Sequence, residues 1–249
     1  VALCTVAGAA AMGAGLIDST GLVSVREPFD ELDLADPDRF VFGGHELAEG
    51  STAGNAEDFH RRTGVMSTDL LKAIRPALRR MDECIRPGFS LGGGRGERGA
   101  PPRLAGVLAG KRVSPARLVA RVGRDLEAFK AAHRLSRVIV VYLATTEGPA
   151  ADVVNRLDLK RFQRRLGAKT TAGFTASLLY AWAAIDAGFP FVNFTPSPAA
   201  ELPALAELAA LRGVPVAGND GKTGETLVKT VLAPMFVARN LKLKTWFGY

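Results

Sequence analysis

The chain has 249 residues, 47% of them hydrophobic and 23% charged, a balance that sets aside a disordered, fibrous or collagen-like protein and allows a sizeable buried core. Lys and Arg outnumber Asp and Glu by 32 to 25, a formal charge of +7. That charge suits an anionic partner without selecting one, and the basic residues crowding Arg61 to Arg134 have few aromatics between them, which argues against a single-strand nucleic-acid surface.

In chain order, Val1 to Ala14 is rich in small apolar residues with Gly8 and Gly13, and predicts a helix packed closely against a sheet. The start at Val1, without Met or a basic leader, reads as a truncated gene product rather than a signal peptide. After the turn Asp18-Ser19-Thr20-Gly21 comes a short strand-like run, Leu22 to Val25. Phe40-Val41-Phe42 predicts a strand that ends in Gly43-Gly44, as a βα loop does. Leu70, Leu71, Ile74, Leu78 and Met81 recur at helical spacing, so Thr68 to Cys84 is a helix, stopped by Pro87-Gly88. The run from Gly92 to Pro102 has the glycines of a phosphate loop, but no strand leads in and no Lys-Ser/Thr follows, so it is read as a mobile loop.

Ser114 as cap and Pro115 in the first turn open a helix over Ala116 to His133. Val138 to Leu143 is a continuous β-branched run, the pattern of a parallel strand covered on both faces. Then follow a helix at Thr175 to Ala187, a strand at Phe191 to Phe194, a helix at Ala199 to Leu211, a strand at Val214 to Ala217 and a helix at Gly224 to Arg239. This alternation predicts an α/β fold with a doubly wound parallel sheet, in one domain over residues 1–249 with no internal repeat. No run reaches the ~20 apolar residues of a membrane helix. Two unrelated thiols, Cys4 and Cys84, and three scattered histidines predict neither a disulfide framework nor a metal site, and fit a cytoplasmic protein.

Ligands of open parallel sheets sit beyond the carboxyl ends of the strands, which directs attention to four polar segments. They are Gly43-Gly44-His45-Glu46, Ala144 to Pro149, Asn193 to Ser197 and Gly218 to Thr226. The last is the richest: its glycines permit close backbone approach, Thr223 can cap the next helix, and Lys222 brings a cation to the mouth. Its Gly-Lys-Thr is not a Walker loop, because the first Gly which that pattern requires is absent.

Asn193 to Ser197, followed after one helix by Gly218 to Lys229, is similar to the Asn-x-x-Pro and Gly-Asp-Asp-x-Lys-Ser-Gly-Gln-Thr segments of myo-inositol-1-phosphate synthases. Ala144 to Pro149 resembles that family's Ala-Ser-Thr-Glu-Pro loop, Phe42 to Leu47 its Gly-Gly-x-Asp-Ile segment, and Tyr180 to Asn193 its helix and strand. The pattern departs at Asn219 in place of the first Asp, at Leu227 in place of a Lys, and at His45-Glu46 in place of Trp-Asp, which weakens the assignment of a substrate.

The resemblance implies a Rossmann-like NAD-binding domain whose first strand and glycine-rich loop lie upstream of Val1, and whose tetramerising catalytic insertion lies past Tyr249. The chain alone is then expected to bind NAD poorly and to be inactive. The implied chemistry is NAD-dependent conversion of glucose 6-phosphate to an inositol phosphate by oxidation at C5, loss of a C6 proton, aldol closure and reduction. By the same resemblance Lys222, Asp220 and Lys229 are catalytic candidates, and Gly43, Gly44, Thr145, Thr146, Glu147, Asn193, Ser197 and Asp186 are cofactor contacts. The expected partners are a small sugar phosphate and further copies of a full-length chain, with no nucleic acid, membrane or metal. Plainer uses stand beside several of these roles: Asn193 satisfying loop backbone, Ser197 capping a helix, and Asp186 or Lys229 facing solvent. Two other functions share the architecture, an NAD-dependent dehydrogenase of another sugar phosphate and a degenerate nucleotide-binding protein without catalysis.

Overall fold

β-Branched and aromatic side chains place Val140–Tyr142 (β3) and Phe191–Asn193 (β4) side by side as parallel strands, and Val216–Ala217 (β5) joins the other side of β4. The computed structural model describes residues 2–20, 22–47, 50–91, 113–148, 150–199, 201–221 and 224–246. Val140 stands opposite Phe191 and Tyr142 opposite Asn193, and the ladder continues past the strand ends through Phe194 N–H to the Tyr142 carbonyl at 3.1 Å. The three strands expected over 138–143, 191–194 and 214–217 therefore form one parallel sheet in the order β3-β4-β5. A second parallel pair, Gly44–Glu46 (β1) and Ile85–Pro87 (β2), has strands of three residues, too short for hydrophobic periodicity to reveal.

The principal core lies where helices cover the three-stranded sheet. Pro115–Ala132 (α4) packs on Ala176–Asp186 (α7), which also packs on Pro203–Arg212 (α8), β3 and β4. Leu178, Leu179, Ala181, Ala183, Ala184 and Ile185 are all buried, as an apolar helix enclosed on every side requires. Asp152–Asn155 (α5) and Leu159–Leu166 (α6) close one flank, where Asp158 Oδ1 accepts the Arg161 N–H at 2.8 Å to cap α6. Phe162 from α6 is fully buried and stacks on Trp182 at 4.8 Å between centroids, burial that contributes roughly 2–3 kcal/mol. Helix α8 begins at Pro203 rather than at Ala199, because the proline presets the first helical turn. Gly224–Ala238 (α9) follows β5.

A separate core forms among Ala2–Gly13 (α1), Thr52–Thr63 (α2) and Thr68–Asp82 (α3), where Val6, Ala7, Ala11, Ala53, Ala56, Ile74 and Leu78 are buried together. Helix α1 thus packs against α3 and the 3-10 turn Pro37–Arg39, not against a sheet as its small residues suggested. Leu22 to Val25 is likewise no strand: Val23–Val25 is a 3-10 turn. Phe40 and Val41 are exposed, and the strand starts only at Gly44, so Gly43-Gly44 opens a strand instead of closing one. Pro87-Gly88 ends β2, while α3 stops earlier, at Asp82.

The expectation for Val138 to Leu143 also needs correction. Val138 and Tyr142 are buried, but Ile139, Val141 and Leu143 are 60%, 45% and 39% exposed, so the described residues cover only one face of β3. The run Gly92 to Pro102 lies outside the described residues. Among those described, no helix is long and apolar enough to cross a membrane.

Candidate functional site at the carboxyl edge of the sheet

Three strands deliver three polar segments to one edge. The turn after β3 ends in Glu147, whose Oε1 accepts the Ala176 N–H at 2.8 Å and whose Oε2 accepts the Ser177 N–H at 2.7 Å and the Tyr142 hydroxyl at 3.1 Å. A carboxylate thereby occupies the positive end of α7. The Glu147 N–H donates to Ser197 Oγ at 2.9 Å, which ties the turn after β3 to the turn after β4.

Asn193, at the end of β4, is fully buried with its amide committed to its own loop. Its Nδ2 donates to the Ser197 carbonyl at 2.7 Å, and its Oδ1 accepts from the Thr195 N–H at 3.1 Å and the Thr195 hydroxyl at 2.9 Å. The loop after β5 folds against this turn. Gly218 has a φ of +89° and lies so close to β4 that a Cβ there would fall 2.2 Å from the Asn193 carbonyl oxygen. Asp220 also takes a left-handed conformation, φ +74°, and its Oδ1 accepts the Gly221 N–H at 2.8 Å.

Glu147, Asn193 and Ser197 are therefore joined in one network, and Gly218 brings the loop that carries Asp220 against it. Thr145 and Thr146 stand exposed in the same turn as Glu147. Three other candidates lie apart. Gly43 sits at the entry of β1, where a Cβ would meet Phe129 at 2.8 Å and Cys84 at 3.0 Å, beside the last turn of α4. Gly44 begins β1, with open space where a Cβ would stand. Asp186 closes the far end of α7 and binds Arg212 of α8 at 2.5 Å, on the side from which β4 and β5 enter the sheet. Lys229 lies half-buried in α9 with its ammonium 5.9 Å from the Trp246 ring centroid. Lys222 and Thr223 are outside the described residues.

Residues outside the candidate set complete the surroundings. Phe89, just past β2, stacks on Tyr180 of α7 at 4.4 Å, and the Tyr180 hydroxyl accepts the Phe89 N–H at 3.1 Å. The Tyr142 and His45 rings tilt against Tyr180 at 5.9 and 5.6 Å, and His45 Nε2 meets Asp125 Oδ2 at 3.0 Å. Burial pushes the Tyr180 phenol up to about 12; the Phe89 hydrogen bond and the Arg121 charge act against that, and Asp125 and Glu147 reinforce it. Tyr142 is raised further, by burial and then by Glu147. For Tyr142 and Tyr180 the sequence signal was tyrosine among apolar neighbours, which does not distinguish a polar seam from a core.

A dinucleotide fits part of this edge. The exposed hydroxyls of Thr145 and Thr146 suit a ligand lying along the strand ends. The Glu147 carboxylate already accepts three hydrogen bonds and fills the α7 N-terminus, the place where a helix would otherwise receive a pyrophosphate.

A family model described as myo-inositol-1-phosphate synthase, for an NAD-binding domain, matches residues 18–239. NAD is thus the cofactor of the matched domain. The chain is 31% identical over 224 residues to inositol-3-phosphate synthase 1 of Bacteroides thetaiotaomicron, covering 88% of this chain and 48% of that protein. It is 30% identical over 229 residues to the inositol-3-phosphate synthase of Spirodela polyrhiza, covering 90% of this chain and 42% of the relative. The crystal structure of inositol-3-phosphate synthase from Caenorhabditis elegans superposes with a TM-score of 0.63 at 22% identity, over 86% of this chain and 40% of that one, a likeness of fold. The chain spans about half the length of the curated relatives it matches.

Proposed function

Since the chain belongs to the myo-inositol-1-phosphate synthase family, we propose that it is the NAD-binding part of an enzyme that isomerises glucose 6-phosphate to an inositol phosphate. The observation that carries this reading is the family match over residues 18–239, whose motif-bearing loops leave β3, β4 and β5 at one edge. When bound, NAD supplies a hydride acceptor that later returns the hydride, so the reaction is redox-neutral.

The chain's own residues orient and stabilise. Thr145 and Thr146 offer hydroxyls to the cofactor, while Glu147, Asn193 and Ser197 keep that edge rigid through their mutual hydrogen bonds. Asp220 precedes Lys222 by two residues in a loop pinned by Gly218. In this reading the Lys222 ammonium stabilises the enolate or the phosphate of the substrate, and Asp220 orients it or relays a proton. Lys229 is a weaker candidate, since its ammonium faces Trp246. Cytoplasmic location and assembly into a homo-oligomer belong to the same proposal.

A full-length protein containing this chain is expected to form inositol phosphate from glucose 6-phosphate with NAD and without net NADH. Lys222→Met should lower that turnover by roughly a hundredfold or more and leave NAD affinity nearly unchanged. Accumulation of NADH would point instead to a dehydrogenase, and NAD binding without any turnover to a degenerate protein. A well-folded Lys222→Met variant with near-normal turnover would remove Lys222 from the mechanism.

A further inference from the structure

Arg121 occupies the second turn of α4, half-buried, and its Nε and Nη2 are closed off from solvent with no hydrogen-bond partner. Its guanidinium carbon lies 5.8 Å from the centroid of Phe89, the same ring that stacks on Tyr180. The Tyr180 oxygen accepts the Phe89 N–H, which leaves its own hydrogen to donate. The carboxylates that share this seam are already committed. Asp125, one turn further along α4, meets His45 at 3.0 Å, and Glu147 holds two N–H groups of α7 and the Tyr142 hydroxyl.

Burying guanidinium nitrogens is costly unless an acceptor satisfies them, and among the described residues none accepts a hydrogen bond from Arg121 Nε or Nη2. Its position says where one would come from. Arg121 and Tyr180 each lie in the second turn of a helix, and Phe89 directly follows β2, so all three sit just beneath the carboxyl ends of the strands. We propose that Arg121, assisted by the Tyr180 hydroxyl, is an anion receptor that takes a phosphoryl group in the seam between the two sheets. The guanidinium fork and one phenol supply several donors and a positive charge, a set that matches the oxygens of a phosphate dianion better than a neutral ligand. Which phosphate it holds, that of the sugar or one of the dinucleotide, rests on the function proposed above; the receptor itself does not.

The test is thermal melting of this chain titrated with inorganic phosphate, against chloride at equal ionic strength. Wild type is expected to gain a saturable, phosphate-specific rise in Tm. Arg121→Met should weaken the apparent phosphate affinity by roughly tenfold or more, and Arg121→Lys, which keeps the charge but not the fork, should fall between. In phosphate-free buffer Arg121→Met should melt at or above wild type, because an unpaired buried charge has been removed. If Arg121→Met melts well below wild type there, Arg121 has an internal partner and the proposal is overturned. A phosphate effect equal in all three proteins, or none beyond chloride, also overturns it and leaves an adventitious ion only.

The same variants in the full-length protein, titrated separately with NAD and with glucose 6-phosphate, identify the source by the ligand whose affinity falls. Loss of the phosphate effect with both affinities intact would keep the receptor and count against the proposed function.

Discussion

Glu147 joins three elements through one carboxylate, so its removal reports directly on how the carboxyl edge is held. Glu147→Ala leaves the Ala176 and Ser177 N–H groups and the Tyr142 hydroxyl without their acceptor. Each unsatisfied donor costs about 1–3 kcal/mol when buried, and losing an anion from the α7 N-terminus adds up to ~1–2 kcal/mol. Glu147 is half-buried, so water recovers part of this, and the expected loss is about 3–4 kcal/mol. Glu147→Gln keeps one carbonyl oxygen but turns an amide group toward donors, with an expected loss of about 2 kcal/mol. Urea unfolding followed by circular dichroism measures both, with an unchanged m-value confirming that the difference is one of stability. An Ala variant within ~0.5 kcal/mol of wild type would refute the argument that this carboxylate closes the edge.

Two further outcomes follow from the same geometry. Gly218→Ala should cost roughly 2–4 kcal/mol, since it adds a Cβ 2.2 Å from the Asn193 carbonyl oxygen at a φ of +89°; a melting temperature equal to wild type would show that the loop yields freely. Tyr180, held at about 12 against an ordinary 10.0, binds its proton more tightly in the folded state. Its contribution is fully present below pH 10 and is lost as the pH rises toward 12, by up to ~3 kcal/mol, so Tyr180→Phe should flatten the decline in stability over that window. Parallel curves for the two proteins between pH 10 and 12 would contradict this.

The strand and helix order from Val138 onward was legible because β-branched runs and helical spacing are properties of consecutive residues, and so were the loops carrying Glu147, Asn193 and Asp220, which follow those strands directly. The ordered motifs in the same stretch carried the family as well. Nothing in the local pattern told that Gly43-Gly44 precedes a strand, that α1 packs on α3, or that one face of β3 stays exposed, because each depends on what a distant segment places there. Asp186 read as a candidate from its place in a family-like helix, and only the antiparallel run of α7 against the strands sends it to the far side with Arg212. The same distinction holds at the site itself. Residue type told that Glu147 and Asn193 bear polar groups at strand ends. Whether those groups face a ligand or each other was decided by hydrogen bonds between residues 29 to 50 apart in sequence, which exist only where the sheet, α7 and the loops meet.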